Sequence, residues 1–185
     1  MLEDIYSNLK ARMDKTIQIL GKDLQKIRTG RATPAILDGL SVNYYGTPTP
    51  IFQMASITVP DPRSLLVAPW DQSALGEIEK VILKSDLGLT PQNDGKVIRI
   101  SIPVLSQERR KELSKVVNRT AEEAKISLRG IRREANDLLK ELKNSKAINE
   151  DEQNKGENQV QKITKDYVSK VDSIANEKEK EILEF

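Results

Sequence analysis

The groups in this chain that could do chemistry are carboxylates, amines, guanidiniums and hydroxyls, because its 185 residues include neither Cys nor His. Without Cys there is no thiolate nucleophile, no disulfide and no Cys-ligated zinc or iron–sulfur cluster. Without His there is no imidazole base and none of the usual nitrogen ligands of zinc or copper. Glu122 and Glu123 are adjacent carboxylates, but consecutive helical residues point about 100° apart. This inventory disfavours an enzyme without excluding one that uses carboxylates, lysines or hydroxyls, and we expect no metal and no cofactor.

The charged residues are the second chemical feature, because a near-neutral total conceals an uneven distribution. The net charge is +2, yet residues 109–146 carry +6, while residues 29–108 and 147–185 carry −2 and −4. At helical spacing, seven cations fall on the side away from the apolar residues: Lys111, Lys115, Lys125, Arg129, Arg132, Lys140 and Lys143. Five acids fall on an adjacent strip: Glu112, Glu123, Glu134, Asp137 and Glu141. Only Glu122 intrudes on the basic strip. Such segregation favours a surface that binds a polyanion, and structured RNA fits because no exposed aromatic platform accompanies the cations.

Long helices are predicted in both flanks of the chain, where no proline interrupts them. All eight prolines lie between Pro34 and Pro103, and proline breaks helix interiors. In the first flank, apolar residues recur in steps of three and four from Leu2 to Ile27, which is the spacing of a helix with one buried stripe. This pattern predicts a helix that ends shortly before the first proline.

The second flank contains two further apolar stripes. One predicts a helix over about 107–146 and is formed by Leu113, Val117, Thr120, Ala124, Leu128, Ile131, Ala135, Leu138 and Leu142. Asn149 is placed to cap the next helix and Glu152 to close a capping box, while Gly156 is a weak point in its first turns. Three stripes with a short connection predict an elongated antiparallel three-helix bundle, made from residues 1–30 and 105–185.

Residues 31–104 differ from the flanks and predict a small inserted β/α/β domain, so the expected fold class is α+β. Strands are expected over 42–45, 52–59, 64–68 and 96–102. A turn is expected over 46–50, and Asp71 is placed to cap a short helix. Tyr44 and Tyr45 are expected to pack within the first strand rather than to stack on bases. Two chain crossings join this domain to the bundle and predict a hinge formed by Thr29, Gly30, Arg31, Ala32, Ile102, Pro103, Val104 and Leu105.

The location of the protein is indicated by the segments that the sequence lacks. The N-terminus Met1–Ile5 is acidic and has no apolar core region, so it does not resemble a secretory signal peptide. No apolar run approaches the roughly 18 residues that a membrane span needs. A chain without Cys is compatible with a reducing compartment. We expect a cytoplasmic protein with no membrane partner.

Four short segments, taken together and in order, resemble the bacterial ribosome recycling factors. They are Ile27–Ala32 (IRTGRA), Val42–Pro48 (VNYYGTP), Ser85–Leu89 (SDLGL) and Ser106–Leu113 (SQERRKEL). The stretch 121–137, which includes IRREAND, continues the similarity. The resemblance spans essentially the whole chain at the length of the family, and the joint occurrence of these motifs is highly specific.

The resemblance implies an L-shaped monomer that acts in translation. With elongation factor G and GTP bound to that factor, such a protein splits the post-termination ribosome into subunits and releases it from mRNA. It is not an enzyme, because its partner hydrolyses the GTP, and its inserted domain receives the push of elongation factor G. The bundle is implied to dock on large-subunit ribosomal RNA, and the predicted contact residues are Arg110, Lys125, Arg129, Arg132, Arg28 and Arg31.

Three alternatives remain open from the residues alone. Charge runs on a helix usually form only a solvated face, although mixed charges would serve solubility better than segregated ones. A coiled-coil interaction module or holdase-like chaperone would leave its apolar stripes partly exposed and would bind its partners independently of salt. A carboxylate-based enzyme would need convergent acids in a concave site, for which the spacing of the acidic residues gives no support.

Overall fold

The computed structural model describes residues 1–184, which form five α-helices and six β-strands. The helices are α1 (Leu2–Gln25), α2 (Ile51–Met54), α3 (Leu75–Lys84), α4 (Gln107–Asn144) and α5 (Glu150–Glu184). The strands are β1 (Ser41–Tyr44), β2 (Thr47–Pro50), β3 (Ala55–Asp61), β4 (Ser64–Pro69), β5 (Thr90–Asn93) and β6 (Ile98–Ser101). Long helices and a small antiparallel sheet confirm the predicted α+β class. By their internal contacts, the described residues divide into Met1–Arg28 with Gln107–Glu184, and Thr29–Ser106.

The helical unit consists of α1, α4 and α5, and each of these helices packs against the other two. Its core is formed by the apolar stripes of the three helices, with Met13, Val117, Leu128, Val160 and Val171 among the side chains that are almost fully buried. The predicted capping box of α5 is confirmed, because the Asn149 amide donates to Glu152 at 2.9 Å and the Glu152 amide donates to the Asn149 side chain at 2.8 Å. Capping at this point ends the short connection and starts α5 antiparallel to α4.

The predicted stripe of α4 is wrong at one position near its end. Leu138 is 49% exposed, whereas the neighbouring Leu139 is fully buried. A helix turns once in about 3.6 residues, so a stripe of buried positions drifts around a helix of 38 residues. After Ala135 the next buried residue is therefore four positions further on, at Leu139, instead of three positions further on, at Leu138. Leu139 packs against Gly156, where an added Cβ would lie 3.0 Å from the Leu139 Cδ2 atom. Gly156 is therefore a point of close helix approach, not only a weak point in α5.

The sheet unit is built on four antiparallel strands in the order β3-β4-β6-β5, with α3 packed on them. Strand β6 alternates buried Ile98 and Ile100 with exposed residues, as predicted for a half-buried strand. Helix α3 buries Ile78 and Ile82 in the same core. Asp71 accepts hydrogen bonds from the Ser73 amide at 2.9 Å, which confirms its capping role.

Three sequence predictions in the sheet unit are wrong, each at a short element that contains or follows proline. Residues 47–50 form β2 rather than part of a turn, because Tyr45 and Gly46 both take positive φ and close a tight hairpin with β1. Phe52 lies in α2, which precedes β3. No strand is predicted over residues 90–93, where the structure has β5; this strand contains Pro91, which a sheet tolerates at an edge.

The two neighbouring tyrosines of the hairpin have different surroundings. Tyr44 is half-buried against the core and donates its hydroxyl to Asp71 at 2.7 Å, and this hydrogen bond raises the pKa of Tyr44 to about 12. Tyr45 is 82% exposed in the turn, so the prediction that both rings pack within the strand is wrong for Tyr45. Tyr45 lies in the two-residue turn, and its ring makes an edge-to-face contact with that of Tyr44, with the ring centroids 4.5 Å apart.

Candidate nucleic-acid interface

The two charged strips of α4 lie on opposite flanks of that helix. The acidic strip borders α1, where Arg12 Nη1 lies 2.5 Å from Glu134 Oε2. The basic strip borders α5, where Lys125 Nζ lies 2.5 Å from Asp172 Oδ1 and Arg132 Nη1 donates to Gln161 Oε1 at 3.2 Å. We call them the acidic flank (Glu112, Glu123, Glu134, Asp137 and Glu141) and the basic flank (Lys111, Lys115, Lys125, Arg129, Arg132, Lys140 and Lys143).

Three of the five carboxylates of the acidic flank are matched by cations within the helical unit, whereas Asp137 and Glu141 have no ion pair in residues 1–184. Glu112 pairs with Arg109 at 2.9 Å, and Glu123 pairs with Arg119 at 3.2 Å. The hydrogen bond and charge of Arg12 lower the pKa of Glu134 below its ordinary value. This flank therefore pairs part of its charge inside the protein, through one contact with α1 and two contacts within α4.

Cations of the basic flank are only partly matched. Lys125 is 21% exposed beside Asp172, and Arg129 is 46% exposed and reaches back two turns to Glu122 at 3.0 Å. Glu122 thus intrudes on the basic flank, as predicted. Lys111, Lys115 and Lys140 are exposed, and no ion pair involves them in residues 1–184. The basic flank retains positive charge that an external anion can neutralise.

Arg110 lies apart from the other predicted contact residues of α4. It is separated from Arg129 by about 28 Å along the helix axis, given a rise of 1.5 Å per residue. Its Nη1 donates to the carbonyl oxygen of Leu183 at 2.9 Å. The last turn of α5 carries no basic residue of its own, so Arg110 supplies the cation at the negative end of that helix. Arg110, which is predicted to contact RNA, therefore also joins the start of α4 to the end of α5.

The remaining predicted residues lie at the two chain crossings. Arg28 and Arg31 are exposed, whereas Thr29, Gly30 and Ala32 are buried, and Gly30 takes a φ of +81° that favours glycine.

Both crossings are tied to the turn between β3 and β4. The Ala32 amide donates to the carbonyl oxygen of Pro62, and the Ile102 amide donates to that of Arg63, each at 2.8 Å. These bonds hold Ala32 and Ile102 to the sheet unit, and the predicted hinge residues outside them are Thr29, Gly30, Arg31, Pro103, Val104 and Leu105.

The residues of α5 that border the basic flank were not among the residues predicted from the sequence. Gln161 and Asp172 lie beside the buried stripe, at positions that face α4 once the two helices are antiparallel. The spacing of eleven residues between them, three full turns, is the signal that could have revealed this shared side. Among residues 1–184 no cluster of three or more His, Cys, Asp or Glu side chains is arranged to hold a metal, and no helix is long and apolar enough to cross a membrane.

The fold defines an α+β protein with a three-helix unit, an inserted antiparallel-sheet unit and a cationic flank on its longest helix. The family described as ribosome recycling factor matches residues 20–183. The chain is 55% identical to the ribosome-recycling factor of Desulfatibacillum aliphaticivorans and 52% identical to that of Syntrophobacter fumaroxidans, in each case over 185 residues and 100% of both chains.

Solved structures of ribosome recycling factors are also similar to this chain. A solution structure of a ribosome recycling factor is 36% identical, with a TM-score of 0.75 over 100% of this chain and 98% of that chain. The T. thermophilus ribosome recycling factor, described with E. coli elongation factor G on the E. coli post-termination complex, is 46% identical, with a TM-score of 0.65 over 99% of both chains. The chain belongs to the ribosome recycling factor family, as its motifs predicted.

Proposed function

We propose that this protein splits the post-termination ribosome into subunits, together with elongation factor G and the GTP bound to that factor. Family membership supports the general task, and the related T. thermophilus protein is described with elongation factor G on the post-termination complex. The protein itself is not an enzyme in this proposal, since the partner hydrolyses the GTP. It works in the cytoplasm as a monomer that needs no cofactor.

The bundle docks on large-subunit ribosomal RNA through the basic flank of α4. The observation that carries this proposal is the division of charge on one helix, with Glu134 turned to α1 and paired there, while Arg129 and Arg132 lie on the opposite flank. Guanidiniums make strong charge-assisted contacts with phosphate. In the free protein Arg129 binds Glu122 and Arg132 binds Gln161. On docking, RNA phosphates replace these two partners.

The inserted unit moves about the hinge when elongation factor G pushes it. Helix α4 is about 57 Å long at 1.5 Å per residue, and a helix of this length transmits force without bending much. The hydrogen bonds of Ala32 and Ile102 to one turn support a pivot in the residues just outside them. A holdase-like function is disfavoured, because the apolar stripes that it would need are buried among the three helices.

Subunit splitting monitored by light scattering tests the proposed function. Post-termination ribosomes are mixed with elongation factor G and GTP, with and without this protein, and in a third sample a non-hydrolysable GTP analogue replaces GTP. We expect a rapid loss of scattering only when the protein, elongation factor G and GTP are all present. Splitting no faster than with elongation factor G and GTP alone would refute the assignment.

A further inference from the structure

Helix α5 presents its own polar face along the groove that it forms with the basic flank. Two contacts across this groove fix the register of the helices, Lys125 with Asp172 and Arg132 with Gln161. Because the helices are antiparallel, the segment of α5 between those contacts lies opposite the segment of α4 that contains Arg129. Lys165 is one turn from Gln161 on the same side of α5. Lys165 therefore lies across the groove from Arg129.

The charge of Lys165 is not neutralised within the helical unit. Its side chain is exposed, and no ion pair involves it in the described part of the chain. The residues three and four positions away, which are its neighbours on the helix surface, contain no carboxylate: Gln161, Lys162, Val168 and Ser169. The adjacent Asp166 points about 100° further round the helix.

The other half of the same groove has a different lining. Glu179 accepts hydrogen bonds from Ser114 at 2.5 Å and from Asn118 at 2.7 Å, and Asp172 is paired with Lys125. Two carboxylates of α5 therefore lie in the groove towards the end of that helix, and each already has a partner on α4. Between Asn158 and Ser169 the outward face of α5 carries amides, a hydroxyl, two lysines and one carboxylate, Asp166, which lies one turn from Lys162; the amides, hydroxyl and lysines suit the phosphates and riboses of RNA.

We propose that Lys165, supported by Lys162, forms a second row of phosphate contacts, so that the RNA-binding surface spans α4 and α5. This inference rests on the proposed docking of the basic flank and adds a helix to it. Packed helix axes lie about 8–10 Å apart, so the two rows hold two different stretches of RNA backbone. Backbone contacts of this kind position the protein without reading bases, and the segment 158–169 contains no exposed aromatic ring that would stack on one.

The test is equilibrium binding to purified large ribosomal subunits over a series of salt concentrations. The variants are Lys165→Ala and Lys165→Glu, with Lys15→Glu as the matched control. Lys15 is an exposed lysine of α1 with no ion pair in residues 1–184, so Lys15→Glu changes the net charge equally at another place. Thermal unfolding of each variant verifies that the bundle is intact.

At about 0.1 M salt we expect Lys165→Ala to weaken binding about three- to tenfold and to lower the slope of log affinity against log salt by about one. Lys165→Glu is expected to have a larger effect, and Lys15→Glu to bind within about twofold of the parent protein. If both Lys165 variants match Lys15→Glu, the second row does not exist. Arg129→Ala, measured alongside, separates the two proposals, because its failure to weaken binding would overturn the docking proposal itself.

Discussion

The two flanks of α4 carry opposite charges and differ in how those charges are satisfied. On the acidic flank, Glu112, Glu123 and Glu134 each have an arginine partner within the helical unit. On the basic flank, the exposed Lys111, Lys115 and Lys140 have no ion pair in the described residues, and Arg132 contacts a neutral amide. Three of the five acids and three of the seven cations are thus paired inside the protein, so the basic flank retains the larger number of unpaired charges.

The paired and unpaired charges of α4 also differ in their effect on the stability of the helix. Exposed ion pairs contribute little to stability, typically about 0–1 kcal/mol each, and of the three pairs on the acidic flank only that of Glu134 with Arg12 joins α4 to α1. Unmatched cations, in contrast, destabilise a helix slightly through mutual repulsion. In the proposed docking, a polyanion neutralises these cations and removes the repulsion.

Substitution of the basic flank is expected to have the largest effect. Arg132→Ala should weaken binding to large ribosomal subunits by about 1–3 kcal/mol, because it removes a charged hydrogen-bonding group from the docking surface. Glu134→Ala on the acidic flank is the matched comparison and should leave affinity unchanged. Equilibrium binding of both variants measures the difference. Equal effects of the two substitutions would show that docking does not distinguish the flanks.

The two glycines of the long helices should respond oppositely to alanine. Gly130 follows Arg129 on α4 and has no atom within 4 Å of an added Cβ, so Gly130→Ala should stabilise the protein by about 1 kcal/mol. At Gly156 the Cβ would lie 3.0 Å from Leu139, so crowding should cancel this gain. Urea unfolding of both variants measures the contrast. A loss of stability in Gly130→Ala would contradict the open surroundings of this residue.

Removal of the acid that intrudes on the basic flank should strengthen docking. Glu122 binds Arg129 at 3.0 Å in the free protein and must release it to phosphate. Glu122→Gln keeps the shape of the side chain and removes its charge, so we expect about two- to fivefold tighter binding to large subunits, on the scale of an exposed ion pair. Glu123→Gln, one residue away on the acidic flank, is the control. Weaker binding by Glu122→Gln would mean that the carboxylate helps RNA contact.

The smallest expected effect is the pH dependence that comes from the acidic flank. Arg12 lowers the pKa of Glu134 from its ordinary value of 4.5. The stability that this pair contributes is therefore fully present above pH 4.5 and is lost as the pH falls through the lower folded-state pKa. The melting temperature of Glu134→Gln should change less with pH below 4.5 than that of the parent protein. Identical pH profiles would show that the contact does not persist in solution.

Much of the fold could be predicted from periodicity and proline placement. Long stripes of apolar residues predict α1, α4 and α5 because a helix buries one face continuously, and the Asn149–Glu152 capping box marks the start of α5 from local chemistry alone. Strands β2 and β5 could not be predicted in this way. Both are four residues long and contain proline, so their pairing with β1 and β6 decides their conformation.

The candidate site was predicted in part for a similar reason. The segregated charges of α4 follow from the sequence, because residues on one helix have a fixed angular relation. The partners Asp172, Gln161 and Lys165 lie on another helix, and their register depends on how α5 packs. The contact of Arg110 with the carbonyl oxygen of Leu183 could likewise not be predicted from the sequence, since it joins the start of α4 to the end of α5.

The most direct test of the central claim is the salt dependence of binding to large ribosomal subunits. If the basic flank docks on phosphates, log affinity should fall linearly and steeply with log salt, and each cation removed from the flank should lower that slope by about one. Variants of Arg12 and Glu134 on the acidic side should keep the parent slope. Binding that does not change with salt, or a slope that Arg129→Ala and Arg132→Ala leave unaltered, would contradict docking through this flank.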